Sequence, residues 1–247
     1  MGFKIEGLAD PSGAQDASTK NYVDARWNSL FADTGLLLEE EFLGDFTTIS
    51  SDATNFSNGW TGDLLGDVST ISRIIGANGV LRCHMEDIVG PSCCGINKGL
   101  HGVFDPTKDI VFEVLVTSNV TGSNDLTGSI GLRDDIAANT VTSTNAIEFF
   151  VDLATNSNLN WWTRTRKADS EEIIDTGISS GAEHTLRFVL DSVAGEVLFT
   201  IDGGSPVTNT TQIPIVVLDP VLRIRTTSTD SRNLDVDYVK IAQPVRG

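Results

Sequence analysis

The 247-residue sequence predicts a mainly β protein, an antiparallel jelly-roll sandwich preceded by a short N-terminal α-helix. Three observations predict this class. Apolar and polar residues alternate over many short segments, which is the pattern of strands with one buried face. Clusters of Gly, Asn, Ser, Asp and Thr separate these segments at short intervals. After about residue 40, no segment of any length has the spacing of a helix.

The alternation is clearest in the second half of the chain. The segment 110–116 is nearly all apolar, which predicts a central strand covered on both faces. Asp202-Gly203 is a hairpin turn signal directly after an alternating segment. The alternating segments themselves are 147–153, 186–191, 197–201, 222–225 and 234–238.

The helix is predicted near the N-terminus, where Asp16 or Ser18 can cap a segment running to about residue 31. Val23, Trp27 and Leu30 are spaced i, i+4 and i+7, so they lie on one stripe of that helix. An isolated helix of this length is marginal in water, so the stripe needs a partner. Three identical helices in a parallel bundle would supply one, and packing on the chain's own globular domain is the alternative.

The segment from Gly7 to Asp24, GLADPSGAQDASTKNYVD, resembles the L-A-D-P-T-x-x-x-D-A-A-T-K-x-Y-V-D segment of bacteriophage tail, collar and head fibres. In that family it joins a virion-docking end to a trimeric shaft. The resemblance implies that residues 1–38 are a virion-docking peptide and trimerising helix, and that 39–247 form the displayed domain. It also implies location in the virion, a homotrimer held by the apolar stripe, and a virion structural protein as the partner of the N-terminus.

A second resemblance concerns the remainder of the chain. Three segments follow one another as in the concanavalin A-like lectin/glucanase sandwich: EHTLRF at 183–188, GEVLFTIDG at 195–203 and LDVDYV at 234–239. The resemblance covers about residues 40 to 243. That fold hosts both glycan binders and glycoside hydrolases, so it does not by itself choose between the two functions.

Charge and hydropathy exclude two classes of partner. The formal net charge is −17, from 34 acidic and 17 basic residues. Such a surface repels phosphate backbones, so we expect no binding to nucleic acid. No run of about 18 apolar residues occurs, so we expect no insertion into a membrane.

The sequence lacks the catalytic patterns that would point to an enzyme. Hydrolases of the lectin/glucanase superfamily carry acids on one strand as E-x-D-x-E, and this motif is absent. The nearest pairs are Glu39/Glu41 and Asp235/Asp237, and we expect Asp235 and Asp237 to pair with arginines on a neighbouring strand. There is also no G-x-S-x-G elbow and no phosphate-binding glycine loop. The expectation is therefore a protein that is not an enzyme and has no catalytic residue.

Metal and cofactor sites are not predicted either. Cys83, Cys93 and Cys94 could form a zinc site with His84 or His101, but their spacing fits no compact zinc pattern, so free, mostly buried thiols are predicted. No acidic loop has the D-x-[DN]-x-[DN]-G spacing of a calcium site. The third histidine, at position 184, is expected on the surface before a strand.

One arrangement predicts a ligand-binding face. Trp162, Arg164 and Arg166 have strand spacing and share a face, and Arg223 and Arg225 do the same on a later strand. Trp can stack on a sugar ring, while Arg binds carboxylate or phosphate bidentately. These five residues are the candidate site for an anionic host-surface glycan. Ion pairing with Asp235 and Asp237, packing of Trp162 on an arginine stem, or contacts within a trimer would also explain them.

The function expected from these observations is a non-enzymatic phage fibre or decoration protein. Its N-terminus would attach to the virion, and its lectin-like head would adhere to glycans on the host surface. A purely architectural collar, baseplate or capsid decoration protein is the alternative. A polysaccharide depolymerase is the lesser alternative.

Overall fold

The computed structural model describes residues 36–41, 55–56, 60–65, 69–74, 80–85, 92–97, 103–118, 126–135, 143–152, 158–226 and 232–243. The predicted helix, with Val23, Trp27 and Leu30, lies outside the described residues. Regular structure in the described part of the chain is β, and no helix there has the length and apolarity to cross a membrane. The strands are β1 (Leu36–Glu41), β2 (Asn55–Phe56), β3 (Trp60–Leu65), β4 (Thr70–Ile74), β5 (Val80–Met85), β6 (Ser92–Asn97), β7 (Ile110–Ser118), β8 (Leu126–Arg133), β9 (Ala146–Asp152), β10 (Asn160–Lys167), β11 (Ser170–Ser179), β12 (Glu183–Asp191), β13 (Glu196–Ile201), β14 (Val207–Asn209), β15 (Asp219–Thr226) and β16 (Arg232–Gln243).

The strands form two antiparallel sheets of eight. The first sheet has the order β14-β13-β12-β7-β16-β5-β4, and β1 pairs with the second half of β16 beyond the stretch that β5 covers. The second sheet has the order β11-β10-β9-β8-β15-β6-β3-β2. The predicted mainly β, jelly-roll-like sandwich is therefore confirmed.

The hydrophobic core lies between the sheets. Phe112 of β7 stacks on Phe188 of β12 with ring centroids 4.9 Å apart, and Phe199 of β13 contacts Phe149 of the second sheet edge-on at 5.1 Å. Each such fully buried side chain contributes about 1.5–3 kcal/mol relative to an exposed one. The first contact joins neighbouring strands of one sheet, and the Phe149–Phe199 contact joins the two layers.

Strand β7 lies at the centre of the first sheet, between β12 and β16, as the apolar run predicts. Its core-facing residues are buried, while Glu113 faces the other way and is only half-buried. That second face is covered in part by a small apolar cluster of Val111, Val189 and Ala242.

The Asp202-Gly203 turn forms where it was predicted, directly after β13. Both residues have positive φ, 53° and 68°, which is the requirement of a type I′ hairpin turn. The Asp202 carboxylate also accepts a hydrogen bond from the Thr185 amide at 2.8 Å. The turn is therefore fixed both by backbone conformation and by a side-chain hydrogen bond.

His184 is buried, which corrects the expectation of a surface residue. Its Nδ1 lies 2.7 Å from Asp202 Oδ2 and its Nε2 lies 2.8 Å from the Ser179 carbonyl oxygen. Its position before a strand suggested exposure, but the Asp202 turn and the end of β11 enclose it.

The predicted pairing of Asp235 and Asp237 with Arg223 and Arg225 is wrong. Strands β15 and β16 are consecutive in the chain but belong to different sheets, so these side chains lie on opposite layers. Asp235 instead pairs with Arg82 of β5, the neighbouring strand, through hydrogen bonds of 2.7 and 2.6 Å. The prediction that Asp235 pairs with an arginine on a neighbouring strand is therefore correct, but the arginine and the strand differ from those predicted.

Strand β11 is the outermost strand of the second sheet. It has ten residues, most of them exposed, and Gly177 near its end has a φ of 71°. Glu172 on this strand accepts hydrogen bonds from the amides of Thr210 and Thr211 at 2.9 and 2.7 Å. The loop after β14 is thereby held against this edge of the sandwich.

Candidate functional site

The candidate site lies on the outer face of the second sheet, the face turned away from the first sheet. Strand β9 shows how the sequence builds this face. Ile147, Phe149 and Val151 belong to the core, so alternation turns Glu148, Phe150 and Asp152 to the opposite side. The same alternation on β10 and β15 brings the predicted arginines to this outer face.

The strand register aligns several of these residues in a straight line across the sheet. Neighbouring strands are about 4.7–4.9 Å apart, so each residue in the line is beside the next. We call this line the central row; in order across the sheet it comprises Asp175, Trp162, Phe150, Ser129, Arg223 and Gly95.

A pocket opens beside the central row and encloses about 330 Å³ of empty space, part of it open to solvent. Arg164 reaches it from β10, and Arg223 and Arg225 reach it from β15. The lining thus contains three arginines and one acidic residue, Asp152, in a protein whose net charge is −17, while Arg164 also lies 3.7 Å from Glu171 outside the lining. We call it the arginine pocket; it is lined by Thr127, Gly128, Ser129, Phe150, Val151, Asp152, Arg164, Arg223 and Arg225.

Glu148 lies under the arginine pocket and anchors two of the cations. Its side chain is fully buried, and Oε1 accepts from Nε of Arg164 at 2.7 Å and also from Nη2 of that residue. Nε of Arg133, itself fully buried, lies 3.7 Å from Glu148 Oε2. Arg133 also donates from Nη1 to Ser129 Oγ at 3.1 Å. We call Arg133, Glu148 and Arg164 the Glu148 cluster.

The charges in this cluster shift one another's pKa values. Burial by itself would raise the pKa of Glu148, but the positive charges of Arg164, Arg133 and Arg223 together lower it. Burial lowers the pKa of Arg133 to about 10, and the nearby Arg223 and Arg164 cations act in the same direction while Glu148 opposes them. Glu148 therefore remains an anion at neutral pH and supplies negative charge beneath several arginines.

Two glycines make room for these large side chains. A Cβ on Gly131 of β8 would overlap the Ile147 carbonyl oxygen and lie 2.7 Å from Cα of Glu148. A Cβ on Gly95 of β6 would lie 2.9 Å from the Cβ of Arg223. In each case a glycine lies directly opposite a charged residue on the neighbouring strand. The charged side chain therefore has space beside a residue that has no side chain of its own.

Arg225 is the predicted residue best placed to meet a ligand. It is half-buried in the pocket lining, whereas the Arg164 and Arg223 side chains are buried. Arg164, in contrast, is engaged with Glu148, and its guanidinium carbon lies 4.4 Å from the centre of the Phe150 ring. The cation–π partner of this arginine is therefore Phe150 and not the neighbouring Trp162.

The structure brings together most, but not all, of the predicted site residues. Arg164, Arg223 and Arg225 line one pocket, and Trp162 lies next to it, paired across the strands with Phe150. Arg166 is elsewhere: it is bound to Glu171 at 2.9 Å and to Asp169 at 3.2 Å, outside the pocket lining.

Sequence reasoning missed Glu148, Phe150 and Asp152. These residues form an E-x-F-x-D pattern on β9, so one face of a single strand carries two acids with an aromatic residue between them. The search for E-x-D-x-E passes over it, because the middle acid is replaced and the last is Asp. The alternation alone could have identified it as an outer-face pattern.

The cysteines do not form a metal centre in the described part of the chain. Cys83, Cys93 and Cys94 are all free and buried, as predicted. Cys94 donates to the Thr70 carbonyl oxygen at 3.1 Å, and burial raises its pKa well above the ordinary value. Among the described residues, no group of three or more His, Cys, Asp or Glu side chains could hold a metal ion.

The fold is similar to several solved structures. A protein of unknown function from Shewanella oneidensis MR-1 is 13% identical, with a TM-score of 0.56 over 99% of both chains. A family 16 endo-glucanase from Bacteroides ovatus is 14% identical, with a TM-score of 0.57 over 83% of this chain and 99% of its own. A β-glucanase from Bacillus licheniformis is 13% identical, with a TM-score of 0.53 over 86% of this chain and 100% of its own.

No family model and no curated protein matches the sequence. At the identities just given, the structural likeness shows the fold alone, and that fold is the concanavalin A-like, glucanase-type sandwich predicted from the sequence. The phage-fibre half of the prediction has no support among these structures.

The expectation that the protein is not an enzyme is overturned by the same comparisons. Two of these structures, which match over 83% and 86% of this chain, are an endo-glucanase of glycoside hydrolase family 16 and a β-glucanase. The missing E-x-D-x-E motif therefore does not exclude catalysis, and the acids of β9 belong among the candidate functional residues. The chain has the fold of the lectin/glucanase sandwiches, with an arginine-lined pocket on the outer face of its second sheet.

Proposed function

We propose that this protein binds an anionic polysaccharide at the arginine pocket. The observation that carries the proposal is the convergence of Arg164, Arg223 and Arg225 from two strands of a strongly acidic protein. Gathering like charges raises their electrostatic energy, and after burial, the main cause, the Arg223 and Arg164 cations also lower the pKa of Arg133. An anionic ligand would offset that energy.

The side chains around the pocket suit a sugar acid. A guanidinium group can bind a carboxylate, sulfate or phosphate with two parallel hydrogen bonds. Trp162 beside the pocket offers an aromatic face, which stacks on the apolar face of a sugar ring. The structural neighbours include an endo-glucanase and a β-glucanase, which supports a glycan as the ligand class by analogy of fold.

The direct test is binding to purified polysaccharides with and without acidic groups, measured by calorimetry. We expect affinity for a polyuronate or sulfated glycan, none for its neutral counterpart, and weaker binding as salt increases. Arg225→Ala should weaken binding about 10- to 100-fold, because a hydrogen bond to a charged group contributes about 1.5–3 kcal/mol.

Lys108→Ala is the matched control, since it removes one positive charge from an exposed pair with Asp105 that lies outside the pocket lining. Equal loss in both variants would mean that only net charge matters, and it would contradict a specific site. Binding of the neutral glycan as strongly as the acidic one would contradict the proposal as well.

Cleavage of the bound polysaccharide is the second candidate function, and the acids of β9 favour it. Glu148 and Asp152 face the same side of one strand, and Asp152 lines the pocket. Retaining glycoside hydrolases need two carboxyl groups about 5–5.5 Å apart, and inverting ones about 6.5–9.5 Å. Four residues of a strand span about 13 Å, so the side chains would have to converge on a bound sugar.

The roles in such a reaction follow from the environment of each acid. Glu148 has a lowered pKa and stays ionised, so it would stabilise positive charge that develops on the sugar, and Asp152 in the pocket lining is the acid placed to donate a proton to the leaving oxygen. Water then adds across the broken glycosidic bond. Release of reducing ends from the bound polysaccharide, lost in Asp152→Asn with binding retained, would support this function; binding without any release would contradict it.

We also propose, from the N-terminal resemblance, that the protein is a phage virion component that presents this site to the host surface. The full chain should then have three times the monomer mass by light scattering, and Trp27→Asp should give monomers. Purified protein should compete with phage for adsorption to host cells. A monomeric wild type would contradict the trimer, and affinity for virion proteins without affinity for host cells would favour the architectural alternative.

A further inference from the structure

The central row continues past the arginine pocket to a second group of polar side chains around Trp162. The indole Nε1 donates to Asn158 Oδ1 at 3.0 Å. Asn160 and Asn158 donate from Nδ2 to the Asp175 carboxylate at 3.0 and 3.1 Å. The indole is thus held by a network of amides and one carboxylate, on the edge of the sheet that β10 and β11 form.

This network differs in charge from the arginine pocket. Its ionised group is Asp175, a carboxylate that is exposed on β11. An acidic sugar at this end would be repelled, because like charges at a partly exposed site disfavour each other. A neutral sugar would not be repelled, and its hydroxyl groups can donate to the carboxylate and exchange hydrogen bonds with the amides.

The two groups are a fixed distance apart. From β10, which carries Trp162, to β15, which carries Arg223, there are three strand intervals. At the usual spacing this is about 14 Å, longer than a single sugar ring. Phe150 lies between them on β9 and is the register partner of Trp162 on one side and Ser129 on the other.

We infer that Trp162, with Asn158, Asn160 and Asp175, forms a separate subsite for an uncharged sugar, and that the ligand is a mixed oligosaccharide. Its neutral residue stacks on the indole while an acidic residue farther along the same chain binds the arginine pocket. This inference rests on the proposed function, because it needs the arginine pocket to bind the acidic residue. It adds the class of ligand: a heteropolysaccharide of neutral and acidic sugars instead of a uniform polyanion.

The test uses calorimetry with three probes: hexasaccharide fragments of hyaluronan, which alternate a uronate with a neutral N-acetylhexosamine; fragments of equal length from a pure polyuronate; and the uronate monosaccharide. Trp162→Ala should weaken binding of the mixed hexasaccharide about tenfold and leave the monosaccharide unchanged. Trp162→Phe keeps an aromatic face and should restore most of the affinity, which separates stacking from damage to the fold.

Asp175→Asn supplies the reciprocal measurement at an exposed position. Removing the carboxylate should strengthen binding of the pure polyuronate severalfold and weaken binding of the mixed fragment, because a sugar hydroxyl group loses its charged acceptor. If Trp162→Ala binds the mixed fragment as well as the wild type while Arg225→Ala does not, the subsite is wrong and the arginine pocket stands. If neither Trp162→Ala nor Arg225→Ala changes binding, the proposed function fails with it.

Discussion

The outer faces of the two sheets handle charge in different ways. On the first sheet, Arg82 binds Asp235 and Arg187 lies 3.9 Å from Glu113. On the second sheet, Arg164 pairs with Glu148 and Arg166 with Glu171 in the same way, but Arg164, Arg223 and Arg225 also line one pocket. Cross-strand pairs of opposite charge are the ordinary way to stabilise an exposed sheet face. The second face adds a convergence of three arginines to such pairs, and that convergence identifies it as the candidate site.

The largest expected effect comes from Glu148→Gln. The change leaves Arg133 and Arg164 buried without their anion, and breaking a buried ion pair from one side costs about 3–5 kcal/mol. Denaturant unfolding of wild type and variant measures this loss. Glu113→Gln on the first sheet is the control, with an expected loss of about 1 kcal/mol or less. Equal losses would remove the contrast between the faces.

Low pH should also destabilise the protein through Glu148 on the second sheet. The pKa of Glu148 is lowered in the folded state, so its stabilising contribution is complete above its unfolded pKa of about 4.3 and is lost as pH falls through the folded value. The free energy of unfolding should therefore decline in acid, and the decline should be shallower in Glu148→Gln. Parallel pH profiles for the two proteins would show that Glu148 has no lowered pKa.

A smaller effect is expected from Gly131→Ala. The new Cβ would overlap the backbone beside Glu148, and overpacking of this kind costs about 1–3 kcal/mol. Gly128→Ala on the same strand is the control, because its Cβ would lie 3.6 Å from the nearest atom, the Arg223 carbonyl oxygen. Thermal unfolding that ranks the two variants in the opposite order would contradict close packing over Gly131.

The smallest effect is expected from Arg82→Ala on the first sheet. Its pair with Asp235 is well aligned but more than a third exposed on the arginine side, and exposed pairs contribute about 0.2–1 kcal/mol. The loss should shrink further at high salt. A loss as large as that of Glu148→Gln would show that paired charges matter equally on both faces.

Local sequence patterns predicted the strands and turns well. They predicted poorly which residues lie beside one another on neighbouring strands. The strands, the central position of β7 and the Asp202-Gly203 turn follow from alternation and turn chemistry, which involve residues close in sequence. The pairing of Asp235 depended on strand order, which places Arg82 beside it although 153 residues separate the two in sequence. No local spacing contains that information.

The candidate site shows the same division. Alternation was enough to place Arg223 and Arg225 on one face of β15, and Arg164 on one face of β10. The importance of Glu148 became visible only when the sheet set β8 on one side of β9 and β10 on the other. Arg166 and Trp162 are each two residues from Arg164. Nevertheless, nearby acidic residues bind Arg166 outside the pocket. A spacing of two residues along a strand therefore shows which face of the sheet a side chain occupies, but it does not show whether that side chain reaches the pocket.

The exposed position of β11 bears on how chains of this protein meet one another. An outermost strand presents unpaired backbone groups to which a strand of another molecule could add. Glu171, Glu172 and Asp175 put three negative charges on this strand, and Gly177 turns its end out of the extended conformation. Two such edges would repel each other at neutral pH. The acidic residues that set the arginine pocket apart from the rest of the protein therefore also protect the sheet from edge-to-edge aggregation.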